Sequence, residues 1–204
     1  MQSSMSRRHT IPSHFTLPSE SEIRVLSHVL RGQGATQPEI AKATGLSQQT
    51  VSRLVNELVD RGALQLGERQ SNGRRGQPRI EIGIAPGHAY SLGVALMTDA
   101  MSVLLMDFAG KVIAYRLVDI PVMSRKAVFM RLEEVVGDFL TSCQIDRRRL
   151  FGCGIGISGY NLDGRSRYNT PRALDDWAMT EVDALFSDAL GLPAWVENDG
   201  NAAA

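Results

Sequence analysis

The sequence has few of the residues and patterns that mark secreted, metal-binding or membrane proteins. Among 204 residues there are two cysteines, Cys143 and Cys153, and no histidine lies near either one. This spacing predicts no metal site and requires no disulfide, so both residues are expected to be buried, reduced thiols. No apolar run is long enough to cross a bilayer, and the first sixteen residues carry two arginines but no apolar core. We therefore expect a cytoplasmic protein without a signal peptide and without a membrane partner.

The chain also has no net charge, although its charges are unevenly distributed. Residues 1–83 contain 11 Lys+Arg and 7 Asp+Glu, a net of +4, and residues 84–204 contain 11 and 15, a net of −4. The apolar content of 43% is ordinary for a soluble globular protein. A basic front part and an acidic back part are typical of a DNA-binding module joined to a domain that does not bind DNA.

Residues 37–61 have the pattern of two helices joined by a tight turn. Gly45 stands at the turn, where a residue free to adopt positive φ is favoured, and Ser47 can cap the second helix. The second helix carries apolar residues at the i, i+3, i+4, i+7 spacing of one buried face. The pattern predicts a helix-turn-helix, with an unrelated helical hairpin as the alternative. These apolar residues are Val51, Leu54, Val55 and Leu58.

Short polar side chains occupy the beginning of the same helix on its other face. A recognition helix presents such groups to base edges in the major groove of DNA. The candidate base-contacting residues are Ser47, Gln48, Gln49, Thr50, Ser52, Arg53 and Asn56.

Two alternating segments, residues 63–66 and 80–84, flank a polar, glycine-rich stretch and predict a β-hairpin. A hairpin directly after a recognition helix is a wing, which would complete a winged helix-turn-helix domain over residues 18–84, preceded by a flexible arm at 1–17. A solvated loop without a DNA contact is the alternative. Four arginines of this segment are expected at phosphates or in the minor groove. They are Arg69, Arg74, Arg75 and Arg79.

The pattern changes at residue 85 to the order β-β-β-α-β-α-β-α. Consecutive hairpin strands followed by αβ crossovers predict a mixed sheet covered by helices. Ser124 is expected to cap the first of these helices, and Thr180 with Asp183 to form a capping pair in the second. Strands are predicted at 90–97, 102–107, 112–118, 150–157 and 193–197, and a last helix from residue 198.

This order and several short motifs resemble the first lobe of the actin-like, ribonuclease-H-like sugar kinases of the ROK family (repressors, open reading frames and kinases). The resemblance covers residues 87–204 and, with the winged helix-turn-helix, almost the whole chain. It implies a mainly α winged helix-turn-helix followed by an α/β actin-like ATPase lobe with a mixed β-sheet. The matching motifs are Leu92-Gly93-Val94, Asp107-Phe108-Ala109-Gly110, Gly154-Ile155-Gly156-Ile157-Ser158-Gly159, Asp163-Gly164, Tyr168-Asn169-Thr170-Pro171, Trp177, Gly191-Leu192-Pro193 and Glu197-Asn198-Asp199-Gly200-Asn201.

The resemblance implies sugar-contacting roles for Gly159, Asn169, Asn198 and Asp199. In the kinases the aspartate matched by Asp199 is the general base on the sugar hydroxyl. A carboxylate beside an amide can also accept bidentate hydrogen bonds from vicinal hydroxyls, and this binding needs no ATP. The alternative is that these residues only cap a helix or shape a turn.

Two departures from the family pattern argue against catalysis. The kinases have a glycine-rich phosphate loop after their first strand, but this chain has Ala95-Leu96-Met97-Thr98-Asp99. The side chains of Leu96 and Met97 would block the close approach of a phosphate, and the carboxylate of Asp99 would repel it. We therefore expect no catalytic residue, no ATP and no enzyme activity. In addition, the second lobe and its His and Cys zinc motif have no counterpart in residues 85–204. We expect an incomplete lobe without a cofactor, in which zinc could belong only to a longer protein.

These observations predict a sugar-responsive transcriptional regulator, expected to be a repressor of carbohydrate genes. Its partners would be double-stranded operator DNA, a sugar or sugar phosphate effector, and further copies of the chain in a homodimer or higher homo-oligomer. The first alternative is an ATP-dependent ROK sugar kinase with an added DNA-binding module. The second is a protein whose back domain binds no sugar and only dimerises.

Overall fold

The computed structural model describes residues 15–32, 34–70, 79–161 and 168–198. They form two compact units, each with its own apolar core. The first unit comprises residues 16–88 with residues 108–110, and the second comprises residues 89–107 and the chain from residue 111 onward, together with Phe15. No helix in the described ranges is both long enough and apolar enough to span a membrane.

The first unit consists of three helices followed by a hairpin. The helices are α1 (Glu20–Gly32), α2 (Gln37–Thr44) and α3 (Gln48–Asp60), and the strands are β1 (Leu64–Gln70) and β2 (Arg79–Ile84). The strands pair antiparallel, with a register shift between Leu66 and Arg69. This arrangement confirms the predicted winged helix-turn-helix. Its core residues, which all lie on the inner faces of these elements, include Val25, Val29, Ile40, Val51, Leu54, Val55, Leu58, Leu64 and Ile82.

Two features of this unit were not predicted. Ala35, between α1 and α2, pairs with Ile82 through two backbone hydrogen bonds of 3.0 and 2.8 Å and so adds an isolated β-bridge at β2. In addition, Phe108 belongs to this unit, where its ring lies 4.9 Å from the ring of His88 and its N–H donates to the carbonyl of Pro86. The sequence indicated only a tight turn there, which the positive φ of Gly110 (84°) confirms.

The second unit is built on a five-stranded mixed sheet. Its strands are β3 (Tyr90–Leu96), β4 (Ala100–Asp107), β5 (Val112–Asp119), β6 (Leu150–Ile157) and, after two short strands, β9 (Ala194–Asn198). The spatial order is β5-β4-β3-β6-β9; β3, β4 and β5 form an antiparallel meander, and β6 and β9 run parallel to β3. This is the predicted mixed sheet.

Two helices, α4 (Arg125–Ser142) and α5 (Val182–Leu190), contribute to the core of this unit. Ser124 caps α4 as predicted, because its hydroxyl accepts the N–H of Ala127 at 3.3 Å. The short strands β7 (Tyr160–Asn161) and β8 (Tyr168–Asn169) pair antiparallel and were not predicted. A 3-10 segment, Arg172–Trp177, was also missed; it buries Trp177, whose indole N–H donates to the carbonyl of Met123 at 2.7 Å.

The predicted capping pair at the start of α5 is wrong. The hydroxyl of Thr180 donates to the carbonyl of Trp177 at 2.8 Å, and the carboxylate of Asp183 accepts the N–H of its own neighbour Ala184 at 2.8 Å. The helix begins at Val182 because Thr180 completes the turn of the preceding 3-10 segment instead. The helix predicted from residue 198 falls beyond Asn198, outside the described residues.

Candidate functional site

The turn between α2 and α3 has the geometry that its glycine predicts. Gly45 has φ +72°, in the left-handed region that side-chain-bearing residues rarely adopt, and its N–H donates to the carbonyl of Ala41 at 3.0 Å. The beginning of α2 is fixed by Glu39, whose carboxylate accepts the N–H and the hydroxyl of Thr36 at 2.8 Å each. Local hydrogen bonds therefore fix both the beginning of α2 and the turn at its end.

Ser47 caps α3 as predicted. Its hydroxyl oxygen accepts the N–H of Thr50 at 3.1 Å, and the hydroxyl groups of Ser47 and Thr50 lie 2.8 Å apart, within hydrogen-bonding distance. Both residues were predicted to contact bases. Their hydroxyl groups hydrogen-bond to each other and orient the first turn of the helix.

The remaining predicted base-contacting residues of α3 share one side of the helix. Four apolar side chains anchor the opposite side in the core, with exposures from 0 to 3%. On the outer side Gln49, Arg53 and Asn56 are exposed at intervals of three and four residues, flanked by exposed Gln48 and half-buried Ser52. The structure therefore brings these five residues together on one surface, which we call the α3 stripe: Gln48, Gln49, Ser52, Arg53 and Asn56.

The α3 stripe has a neighbour that the sequence did not single out. The Glu57 carboxylate lies 2.7 Å from Nη1 of Arg53, and both side chains are exposed, Arg53 at 62% and Glu57 at 46%. The spacing of four residues between an arginine and a glutamate on one helix is the signal that could have revealed this pair.

The end of α3 is tied to the beginning of α1. The carboxylate of Glu22, which is only 8% exposed, accepts hydrogen bonds from the backbone N–H of Ser19 at 2.6 Å and from the guanidinium of Arg61. Burial alone would raise the pKa of Glu22, but the hydrogen bonds from Ser19 and the positive charge of Arg61 outweigh it and leave the pKa below its ordinary value. The sequence did not predict this ion pair of Glu22 and Arg61 either.

The wing is only partly described. Arg69 and Arg79 lie at the far end of the β1–β2 pair, where Arg69 is opposite Ile80 and Arg79 is opposite Gln70. Their side chains, and the whole of Arg74 and Arg75, lie outside the described residues. The predicted contacts of the four arginines with DNA therefore stay predictions.

Three of the four predicted sugar-contacting residues meet at the carboxyl ends of the strands of the second unit. The side-chain amide of Asn198, at the end of β9, donates to the carbonyl of Gly159. Gly159 has φ +153°, and a Cβ atom there would lie 2.7 Å from the backbone carbonyl oxygen of Asn169. Only glycine fits this close approach. Asp199 lies outside the described residues.

Residues 97–99 form a closed turn between β3 and β4, at the position where the resemblance predicts the altered phosphate loop. The N–H of Met97 donates to the carbonyl of Ala100 at 2.9 Å, and the carbonyl of Asp99 accepts the N–H of Ile120 at 2.8 Å. The side chain of Leu96 is part of the core, at 1% exposure. The backbone N–H of Met97 is thus engaged within the protein, and the carboxylate of exposed Asp99 adds negative charge at the turn.

Neither cysteine forms a disulfide in the structure, and their surroundings differ. Cys153 is fully buried in the core, where burial raises the pKa of its thiol to about 12. Cys143 is only half-buried, so the expectation that both thiols are buried holds for Cys153 alone. Within the described ranges no three His, Cys, Asp or Glu side chains cluster in a way that could hold a metal ion.

Sequence comparisons identify relatives of both units. A model described as the MarR family matches residues 16–75, which contain α1, α2 and α3. The chain is 30% identical over 190 residues to the uncharacterised protein y4fQ of Sinorhizobium fredii, a match that covers 91% of this chain and 47% of that protein. It is 23% identical over 194 residues to the xylose repressor of Caldicellulosiruptor bescii, covering 94% and 48% respectively. The chain therefore spans about half the length of these curated relatives.

Among solved structures, the chain is similar to a ROK family transcriptional regulator described as a homologue of the Escherichia coli MLC protein. The TM-score is 0.62 over 88% of this chain and 46% of that one, at 19% sequence identity. This similarity shows a shared fold that includes both the helix-turn-helix and the mixed sheet. Together with the matched MarR family model and the relatives in sequence, it shows that the chain is similar to ROK family transcriptional regulators over about half of their length.

Proposed function

We propose that this protein is a transcriptional regulator that binds operator DNA and responds to a sugar. The observation that carries the proposal is the α3 stripe, whose polar side chains are exposed on a helix that is fixed at both ends. Ser47 caps the beginning of this helix, and Arg61, directly after its end, is bound to Glu22. A helix held in this way can enter the major groove with little loss of conformational freedom on binding.

In the proposed complex the stripe and the wing have different roles. Gln49, Ser52, Arg53 and Asn56 would read base edges, since amide and guanidinium groups pair with adenine and guanine in the major groove. The arginines of the wing would contact phosphates or the minor groove and supply most of the salt-dependent affinity. This division agrees with the basic charge of residues 1–83 and the acidic charge of residues 84–204.

We further propose that the second unit binds the effector sugar beside Gly159, Asn169 and Asn198, with the adjacent Asp199. Amide and carboxylate groups at this edge of the sheet are suited to vicinal hydroxyl groups. Effector binding could alter DNA affinity only if the sugar binds the DNA-competent and the DNA-incompetent states with different affinities. Since two-fold symmetric operators are read by dimers, we propose a homodimer or higher homo-oligomer.

The closed turn at Met97 favours a sensor over a kinase. Phosphoryl transfer requires backbone N–H groups that cradle the phosphates of the nucleotide. Here Met97 donates its N–H within the turn, Leu96 fills the core, and the carboxylate of Asp99 would repel a phosphate. The kinase alternative therefore lacks support at the loop on which it depends.

Fluorescence anisotropy of the full chain with duplexes from the upstream region of its own gene tests the proposal. We expect salt-dependent binding to one segment and a change in its affinity when the effector is added. Xylose and N-acetylglucosamine are the first sugars to try, because relatives are named xylose repressor and N-acetylglucosamine repressor. Absence of preferential binding to any upstream segment by the folded chain would contradict the proposal.

Two further measurements separate the alternatives. A coupled ADP-release assay over hexoses and pentoses should give no sugar-dependent turnover, and measurable turnover would favour the kinase. Calorimetry with the same panel should detect heat from one sugar or sugar phosphate. If no sugar of the panel binds while DNA binding persists, the second unit serves only for dimerisation.

A further inference from the structure

We propose that Glu57 is a positioning residue that determines the specificity of the recognition helix by holding the guanidinium of Arg53. The inference rests on the proposed DNA-binding function and assigns a role to a residue outside the predicted contact set. The observation behind it is the 2.7 Å approach of the Glu57 carboxylate to Nη1 of Arg53.

The position of this ion pair on the helix is the first argument. The buried face of α3 is formed by Val51, Leu54, Val55 and Leu58, so Arg53 lies on the side that faces away from the core. At 100° per residue, Glu57 lies one turn further along the same side, at the margin of the α3 stripe. Both side chains are exposed, which means that core packing does not dictate their rotamers. In the structure the guanidinium of Arg53 lies against the carboxylate of Glu57, one helical turn further along α3.

Charge is the second argument. The outer side of α3 carries one arginine, Arg53, and two carboxylates, Glu57 and Asp60, so it contributes no positive excess toward DNA. A carboxylate close to a polyanion opposes binding to any sequence. Its presence is understandable if the helix discriminates between bases while the wing arginines provide affinity. In this arrangement the carboxylate weakens the complex with a DNA sequence that lacks the matching base, and this repulsion contributes to specificity.

The geometry of the guanidinium gives the third argument. Arginine has five N–H donors in a rigid fork, and Glu57 engages the nitrogen Nη1. The Nε–Nη2 edge of a guanidinium does not include Nη1, so a contact of Nη1 with Glu57 leaves two parallel donors that can meet the O6 and N7 atoms of a guanine. With Glu57 in place, Arg53 is held for such a contact and its charge is partly compensated. Without Glu57, the same side chain can swing to the nearest phosphate in any sequence.

The substitution Glu57→Gln tests this inference because it retains the size of the side chain and removes its charge. The probes are the upstream duplex that wild-type protein prefers and a shuffled duplex of equal length and composition. We expect affinity for the shuffled duplex to rise and its salt slope to steepen by about 0.9, the value for one additional phosphate contact. The ratio of the two affinities should fall roughly fivefold or more, the lower end of what one base contact contributes.

A double-mutant cycle with Arg53→Ala distinguishes positioning from a general charge effect. If Glu57 acts through Arg53, the Glu57→Gln substitution should leave the affinity ratio unchanged in the Arg53→Ala background. Asp60→Asn is the matched control, because it removes one carboxylate from the same side of α3 without touching the ion pair. We expect it to strengthen binding to both duplexes equally.

The outcomes separate this inference from the proposed function. If wild-type protein shows no preference between the duplexes, the proposed function is wrong. Suppose that wild-type protein shows the preference. If Glu57→Gln then leaves the affinity ratio unchanged, or lowers it equally in the wild-type and Arg53→Ala backgrounds, the proposed role of Glu57 is wrong and the proposed function stands. Circular dichroism of each variant confirms that α3 is retained. The backbone carbonyl of Glu57, which accepts the N–H of Arg61 at 3.1 Å, is unaltered by the substitution.

Discussion

The carboxylate of Glu22 binds the guanidinium of Arg61, although 39 positions of sequence separate the two residues. Glu22 lies in the first turn of α1, and Arg61 directly follows α3. The contact therefore holds the end of α3 against the start of α1. Because the same carboxylate also accepts the N–H of Ser19, one side chain satisfies two donors in a mostly buried place.

The first prediction concerns the stability of the winged helix-turn-helix. Glu22→Ala should lower the free energy of unfolding by about 1–3 kcal/mol, because it leaves the Ser19 N–H and the Arg61 guanidinium without this acceptor. Urea unfolding of the full chain, followed by circular dichroism, measures the change. Glu20→Ala is the control, since Glu20 lies in the same turn but is exposed and should have little effect. Equal losses for the two variants would show that the Glu22 contacts contribute nothing specific.

The second prediction is a pH dependence that the same carboxylate confers. Its pKa in the folded protein is lower than the ordinary value of 4.5, so the folded state favours the ionised form. The resulting stabilisation is fully present above pH 4.5 and is lost as the pH falls through the lower folded value. Glu22→Gln should therefore unfold more easily than wild type at neutral pH. The difference should shrink on acidification below pH 4.5, as thermal unfolding at a series of pH values would show. A difference that stayed constant down to the most acidic pH would contradict the assignment.

The local parts of the fold were predictable from the sequence. The α2–α3 turn follows from Gly45, the cap from Ser47 and the buried face of α3 from its apolar spacing, and each of these depends on residues only a few positions apart. The ion pair of Glu22 and Arg61 and the bridge of Ala35 to Ile82 could not be predicted in this way. Both depend on how separate helices and strands pack, which no local pattern of charge or hydrophobicity encodes.

At the candidate ligand site, too, single residues were predictable from the sequence and the contacts between separate elements were not. Family motifs indicated Gly159, Asn169 and Asn198 as separate matches, but not that the Asn198 amide reaches the Gly159 carbonyl. The β7–β8 strands that bring Asn169 beside Gly159 are two residues each, too short to show an alternating pattern. Thr180 and Asp183 are residue types that favour a helix cap, but the hydroxyl of Thr180 donates to the carbonyl of Trp177 instead, which no pattern of residue types indicates.

The third prediction concerns this site. Gly159→Ala should destabilise the β7–β8 region by about 1–3 kcal/mol, because its φ of +153° is strained for alanine and the new Cβ would lie 2.7 Å from the Asn169 carbonyl oxygen. Sugar affinity, measured by calorimetry, should fall with it. The control is Gly154→Ala, since a Cβ at Gly154 has no described atom within 4 Å. Unchanged sugar binding by a folded Gly159→Ala variant would remove this glycine from the site.

The fourth prediction separates the two hydroxyl groups at the start of α3. Ser47→Ala should destabilise the first unit by about 1 kcal/mol, the usual effect of losing an N-cap, since the Thr50 N–H loses its acceptor. Thr50→Val removes the hydroxyl of Thr50 but retains that backbone bond, so we expect a smaller loss. Urea unfolding of both variants provides the comparison. If Thr50→Val were the more destabilising change, the hydroxyl–hydroxyl contact would be the important one.

The last prediction distinguishes base reading from phosphate binding. Gln49 is exposed on the α3 stripe, and Gln49→Ala should reduce the preference for the operator over shuffled DNA by about 1–3 kcal/mol, the contribution of one amide–adenine pair. Arg75→Ala, in the wing, should weaken binding to both duplexes alike and reduce the salt slope by about 0.9, because one phosphate contact is lost. Anisotropy titrations of both variants at four salt concentrations would measure these effects. If Gln49→Ala instead weakened both duplexes equally, α3 would lie along the phosphate backbone and its orientation in the groove would have to be revised.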